Sequence, residues 1–531
     1  MEMGTICSNK QKDQQKQNNT NEYECILLDQ DSNRWLKKQY SINYTKDKYF
    51  RYFYQGQLIR MQQKNFSARP ELFSNLEQIQ YLEWFGNYND NFNKVAKWTA
   101  NWNKEKIIKV GGFYLENGAK SGIWKEIINN YCSQALVYQV GEFINDKKHG
   151  RWQYIYKNEM IGGGFYNEFG QKNGKWIEIS NRFQNQNQII YKGEYTKSGM
   201  KVGKWDIMQC KNNEKSYKQI GGGQYDGQQK GSIKIGSWIE ISDGFQWRNQ
   251  ITYKGEYNKY GEKQGKWDIL HRYDQNEPFI KIGGGLYDEQ EGSSKKIGRW
   301  SEEWEGFWDC SQVIYNGEYN MKGNKIDRWE TMYKGEYEQE YKQIGGGTYI
   351  EQDGVSIKKG GWIELIDNFR DECQVTYNGE YNLNGEKKGR WDIKYRDDFD
   401  KPFYKIGGGQ YKEKEVDSKK IGRWIELLEG FKKSSQVTYQ GEYAMNGYKI
   451  GRWNIDYEGK KIGGGSYKEY EGIQVKIGKW IELCDNFGEY WQSQQKIIYD
   501  GQYNEEGRKV GTWVEIDIKK NKKIGEMKYN I

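Results

Sequence analysis

The sequence predicts an all-β protein: an elongated, single-layer array of antiparallel β-hairpins, a twisted ribbon rather than a string of globular domains. Three observations carry that prediction. Glycine is abundant and proline nearly absent, at 64 and 3 of 531 residues, where roughly 7% and 5% are usual. Aromatic residues make up 16% of the chain while all hydrophobic residues reach only 35%, so aliphatic side chains are too scarce for several conventional cores. Glycine, tyrosine and tryptophan also recur in register along most of the chain, the mark of a repeat architecture. Long disorder is disfavoured because disordered chains lack aromatic residues.

The register is explicit. Tyr-x-Gly-Glu-Tyr elements place Gly255, Gly317, Gly379 and Gly441 at intervals of 62 residues, and Ile-Gly-Gly-Gly-x-Tyr elements place Gly223, Gly285, Gly347 and Gly409 at the same interval. Each glycine leads to a tryptophan twelve or fifteen residues later: Trp267, Trp329, Trp391 and Trp453 in the first series, Trp238, Trp300, Trp362 and Trp424 in the second. The repeat-defining residues are thus Gly255, Tyr257, Trp267, Gly285, Tyr287, Trp300, Gly379, Tyr381, Trp391, Gly409, Tyr411 and Trp424. Fourteen such tryptophans run from Trp124 to Trp513, and Trp98, after Gly86 and Tyr88, is a degenerate fifteenth.

Each unit reads as a hairpin. In the segment from Tyr253 to Ile269, alternating aromatic and polar residues flank a short glycine- and asparagine-containing turn, the period-two signature of paired strands. Tyr253, Gly255 and Tyr257 then share a face, with Lys254 and Glu256 opposite. A glycine inside a strand normally weakens it, so a regular one implies an aromatic ring lying across the bare backbone. At about 4.8 Å per strand, fifteen hairpins would extend on the order of 140 Å.

Residues 1–22 read as a disordered polar leader, 23–83 as a non-repetitive lead-in, and 84–531 as about fifteen repeats. In the lead-in, Glu71 to Gln78 suggests a short helix and Ile79 to Tyr88 a first edge strand. Pro278 and Pro402, two repeats apart, fall in matching loops. The net charge of +8 comes from interspersed Lys, Arg, Asp and Glu. Seven scattered cysteines without a C-x-x-C pair fit reduced thiols rather than disulfides or zinc. No stretch approaches the roughly 18 apolar residues of a membrane helix, and no signal peptide is recognised.

Read through these motifs, the chain resembles the MORN (membrane occupation and recognition nexus) family in its variant form G-x-Y…G-x-K-x-G-x-W, most closely over Tyr377 to Ile393 and in all from about Gly86 to the C-terminus. Departures are the alternating triple-glycine series, the long inter-hairpin loops, and Asp327 where a turn glycine is expected. The resemblance implies an extended hairpin sheet used for scaffolding, oligomerisation and attachment to cytoskeletal or membrane-associated assemblies.

Candidates for chemistry are few. His149, placed in a hairpin turn, and His271 are the two histidines. The triple glycines lack the spacing of phosphate loops, and the Trp-x-Glu elements at Glu240, Glu364 and Glu482 read as a charged strand face. No catalytic residue, cofactor or metal is expected. Met3-Gly4-Thr-Ile-Cys7-Ser matches an N-myristoylation pattern with a cysteine suited to palmitoylation, provided translation starts at Met3, so Gly4 and Cys7 are candidate acylation sites. The expectation from sequence is a non-enzymatic scaffold for protein–protein interaction at a membrane or cytoskeletal structure, cytoplasmic and not secreted, with self-association through sheet edges. The competing reading is a single-stranded nucleic-acid binder using its Lys-, Trp- and Tyr-rich face; acidic residues alternating with the lysines argue against it.

Overall fold

The computed structural model describes residues 20–529 except 30–33, 45–48, 55–56, 64–69, 211–215, 228–230, 247, 275, 291, 414–417, 429, 471, 485–486 and 488–495. Gly4 and Cys7 lie outside the described residues. The chain forms an all-β array of antiparallel hairpins, with one short helix among the described residues. It divides into two compact units, Met1–Ile280 with Glu289–Ser293, and Lys281–Asp288 with Ser294–Ile531.

The first unit begins with a four-stranded antiparallel meander: β1 (Thr20–Asp29), β2 (Arg34–Tyr44), β3 (Tyr49–Tyr54) and β4 (Gln57–Gln63). β1 starts at Thr20 and so takes up the last three residues of the expected leader. Helix α1 runs Leu76–Tyr81 rather than from Glu71, because Asn75 caps it, its side-chain oxygen accepting from the Glu77 amide. β5 accordingly starts at Leu82 and ends at Tyr88. From β5 to the strand Lys263–Arg272, strands consecutive in sequence pair with one another, β5 itself being separate from β4. In the second unit the same meander runs from Ile280–Tyr287 to Lys522–Tyr529.

One margin of the sheet carries tight turns and the other carries long loops. At the turns an asparagine closes the chain on itself: Asn382 Oδ1 accepts from the amides of Asn384 and Glu386, both at 2.9 Å. Asp327 adopts φ +56°, close to the +60° and +59° of Gly265 and Gly389 at equivalent positions. An aspartate can enter the left-handed region at modest cost, so the departure from the motif leaves the backbone path unchanged.

The long loops solve a problem that the sequence left open, namely what covers the aliphatic half of each strand. Phe245, and in the second unit Phe307, Phe369 and Phe431, recur every 62 residues in those loops and are buried to 3% exposure or less. Phe369 packs with Val313, Tyr333, Ile344 and Phe399, and Phe431 with Val375, Ile393 and Tyr395. The loops also stack on one another. The Asp371 amide donates to the Cys310 carbonyl at 2.9 Å and the Lys433 amide to Glu372 at 2.8 Å, while Asn187 Nδ2 donates to the Phe245 carbonyl at 2.7 Å. Helix α1 begins this stack: Gln78 Nε2 donates to the carbonyls of Asn129 and Tyr131 at 2.8 and 3.1 Å. Phe369→Ala is expected to lower stability by about 3–5 kcal/mol, measured as the urea-unfolding midpoint. A loss below about 1 kcal/mol would show that the loops merely lie on the sheet.

Candidate functional site

The glycine–tryptophan register becomes a physical contact. A methyl group on Gly255, Gly285, Gly379 or Gly409 would fall 2.3 Å from Cδ2 of Trp267, Trp300, Trp391 or Trp424 respectively. The indole lies flat across the bare backbone in each case. The tyrosines close the gaps between indoles edge-on: Tyr257–Trp267 and Tyr381–Trp391 centroids are 5.3 Å apart, Tyr287–Trp300 and Tyr411–Trp424 5.1 Å. T-shaped contacts of this kind add to the area buried. They run unbroken from Tyr88 to Trp267 in the first unit and from Tyr287 to Tyr529 in the second, with Phe143 in place of one tyrosine.

The triple-glycine element has three separate reasons. A methyl on Gly407 would meet the Ile425 carbonyl at 2.7 Å, and one on Gly409 the Trp424 ring. Gly408 sits at φ +118° with the Trp391 carbonyl 2.1 Å from its hypothetical methyl, so both sterics and conformation demand glycine. None of the three is arranged to cradle a phosphate.

Over each indole lies a lysine four residues upstream. Lys263 Nζ is 3.9 Å from the Trp267 ring centroid, Lys296 4.6 Å from Trp300, Lys325 3.8 Å from Trp329 and Lys387 4.0 Å from Trp391, cation–π geometry. All fifteen tryptophans of the register, Trp98 included, carry such a lysine.

The Trp-x-Glu carboxylates complete the pattern, and the expected charged strand face is corrected here. Glu364 is 16% exposed and bridges Lys358, on its own strand, and Lys387 of the next hairpin at 2.8 Å. The Tyr381 hydroxyl donates to it at 2.6 Å. Glu126, Glu178, Glu240, Glu302, Glu426 and Glu482 are each flanked by two lysines in the same way. Each cell of this ladder therefore holds one carboxylate between two ammonium groups. Burial opposes the charge on Glu178, but Lys172 and Lys201, with hydrogen bonds from Lys172 and Tyr195, override it and hold the carboxyl at about 2. The carboxyls of Glu240, Glu302, Glu364, Glu426 and Glu482 are held low by the same balance.

The histidines do not join this ladder. His149 stands on the strand Lys147–Tyr156 opposite Glu142, not in a turn as expected, because Asn145 and Asp146 make the turn. His271 is buried on the strand Lys263–Arg272. Among the described residues no three His, Cys, Asp or Glu side chains are grouped to hold a metal, and no helix is long and apolar enough to cross a membrane. A shallow depression of about 390 Å³ above Gly255 and Gly265 is lined by Lys254, Lys266, Glu256, Asp268 and Glu289, a mixture of charges without a dominant sign.

No family model matches the chain, and no curated protein matches it. Among solved structures, an α-L-arabinanase from Penicillium chrysogenum complexed with arabinobiose aligns at 10% identity over 66% of this chain and 95% of that one, with a TM-score of 0.18. Likeness at that level transfers neither fold nor activity. The expectation of a scaffold at a membrane or cytoskeletal structure, with its nucleic-acid alternative, finds no support in these comparisons.

Proposed function

We propose that this chain is a non-catalytic binding protein built from MORN-like hairpins, and that it recognises an extended acidic polypeptide along its lysine rows. One observation carries the reading: every cell holds two ammonium groups for one carboxylate. The paired lysines are 19–34% exposed and the glutamates between them 12–18%, so the positive groups are the more accessible of the two. The strands that carry successive lysines stand two apart, roughly 10 Å between backbones, a gap that about three residues of extended chain span. Many such contacts in series give avidity without a deep pocket.

The state of the other reactive groups supports a non-catalytic role. Burial pushes the thiols of Cys25 and Cys310 up to about 11 and those of Cys132 and Cys373 up to about 12, away from the thiolate form that a nucleophile needs. The test is binding of fluorescein-labelled oligoglutamates of about 6 and about 24 residues by fluorescence polarisation. The longer peptide is expected to bind about a hundred-fold more tightly, with affinity falling as salt is raised. Equal affinity for both lengths, or tighter binding of an oligonucleotide of matched charge, would overturn the reading.

A further inference from the structure

The face of the sheet opposite the indoles is polar along most of the register, and the first unit departs from that in one place. Phe113 stands between Gly112, which lies beneath Trp124, and Tyr114, which meets that ring at 4.9 Å. Its neighbours are thus fixed on the indole face, and strand alternation turns Phe113 to the other one. Phe165 stands likewise between Gly164 and Tyr166 at Trp176. Ile123 directly precedes Trp124, and Ile144 directly follows Phe143, which meets Trp152 at 5.1 Å. Phe113, Ile123, Ile144 and Phe165 are 54, 69, 47 and 55% exposed.

These residues lie close together, on β7 (Glu105–Tyr114), β8 (Lys120–Ile127), β9 (Val137–Ile144) and β11 (Glu159–Tyr166). Phe113 is opposite Ser121 and Ile123 opposite Glu142, so Ile123 is the diagonal neighbour of both Phe113 and Ile144. Other repeats place polar residues here. Ile123 is the one large apolar residue among the fifteen that directly precede a register tryptophan; Lys175, Lys204, Arg299 and Arg423 are counterparts. At the Phe113 and Phe165 positions stand Glu194, Gln224, Glu256 and Gln410, with Leu286 the single other apolar residue. A clustered exception of this kind marks an interaction surface. The meander β1–β4 packs on the indole face instead, where Tyr40, Ile42 and Phe50 meet Ala100 and Val110.

Positive charge frames the patch. Lys97 on β6 (Lys94–Trp102) is opposite Phe113, and Lys147 and Arg151 on β10 (Lys147–Tyr156) are opposite Ile144 and Phe165. All three are exposed, with Glu142 the one carboxylate in the row. Two copies of a net positive patch repel each other face to face, so the framing charge selects an acidic partner over a second copy. The backbone form of that partner follows from the sheet. Strands β7 to β11 already pair on both sides, so an incoming segment must satisfy its own peptide groups, as an α-helix does. From β7 to β11 is four strand spacings, about 19 Å, the length of roughly 13 helical residues.

We propose that this face of β7–β11 docks an acidic amphipathic α-helix of another protein, its apolar stripe on Phe113, Ile123, Ile144 and Phe165 and its carboxylates toward Lys97, Lys147 and Arg151. The site lies on the face opposite the lysine ladder and is separate from the binding function above.

The test uses the full chain and two fluorescein-labelled, hydrocarbon-stapled peptides of leucine and glutamate, about 14 residues each. One gathers its leucines in a single stripe; the other has the same composition permuted so that no stripe forms. The striped peptide is expected to bind at least about ten-fold more tightly than the permuted one. Phe113→Gln/Ile123→Lys/Phe165→Gln installs residue types that the chain itself carries at the equivalent Gln224, Lys175 and Gln410, so the fold is retained, and it adds a positive charge. The variant is expected to bind the striped peptide about ten-fold more weakly and the long oligoglutamate within about two-fold of wild type. Striped-peptide affinity unchanged by the substitutions, or no preference for the striped peptide, would overturn the docking site, while oligoglutamate binding reads the ladder on its own. A wild-type dimer in sedimentation velocity that the variant abolishes would also overturn it, by giving the face to a second copy. A second measurement needs no variant: in wild type with ¹³C-labelled isoleucine methyls, the Ile123 and Ile144 resonances are expected to move with the striped peptide while that of the buried Ile393 stays in place. Ile123 and Ile144 resonances that stay in place would contradict the proposal.

Discussion

Gly379→Ala is expected to cost about 3 kcal/mol or more of stability, although it adds a single methyl group to a strand residue. The methyl would sit 2.3 Å from Cδ2 and 2.4 Å from Cε2 of Trp391, inside any permitted contact. The ring cannot step aside, because Tyr381 and Tyr411 hold its two edges at 5.3 and 6.1 Å and its Nε1 donates to the Glu380 carbonyl at 3.2 Å. Gly361→Ala in the same repeat is the matched control. Nothing lies within 4 Å of its methyl position, so its effect is expected within about 0.5 kcal/mol of zero. Urea-unfolding midpoints compare the two. Equal effects would mean that the strand glycines answer to conformation alone and not to the rings.

Glu364→Gln is expected to be destabilising by about 3–5 kcal/mol, because it leaves Lys358 and Lys387 facing each other without the charge that joins them. Glu380→Gln should be close to silent; its carboxylate is 62% exposed and only 3.3 Å from Lys388, a surface pair. The same carboxylates set the response to acid. The folded-state value of about 2 for Glu178 lies below the ordinary 4.5, so the unfolded chain binds the proton more readily. The stabilisation is complete above pH 4.5 and is lost as pH falls from there toward 2. For Glu178 that amounts to about 3 kcal/mol. A melting temperature that is flat from neutral pH to about 5 and then falls steeply is the expected profile; one that declines already between pH 7 and 5 would point to other groups.

The sequence alone revealed the array because its determinants are local and periodic. Gly255, Tyr257 and Trp267 recur with their hairpin, and the pairing of Trp362 with Gly379 and of Trp391 with Gly409 follows once strands are assumed to be neighbours. The lysines were in view four residues before each tryptophan, but alternation of Lys with Glu also describes a solvated face, and only the fold shows that Lys387 and Glu364 meet across hairpins. The intervals of 17 and 23 residues from Glu178 to Tyr195 and Lys201 were the signal that could have found the cell. Phe245 and its successors were equally periodic; their role depends on loops that touch one repeat later, a contact no hairpin contains. The lead-in resisted reading because β1–β4 have no internal repeat, and α1 is placed by Asn75, Gln78 and their partners some fifty residues on.

The central claim is that each of fifteen strand glycines lies beneath an indole. Glycine Hα protons under an indole face are shifted upfield by the ring current, and a glycine-labelled sample of the full chain reports them directly. The account predicts a separate upfield group of Hα resonances that contains Gly255, Gly285, Gly379 and Gly409, with Gly361 remaining in the ordinary range. Strand-glycine resonances indistinguishable from that of Gly361 would contradict it.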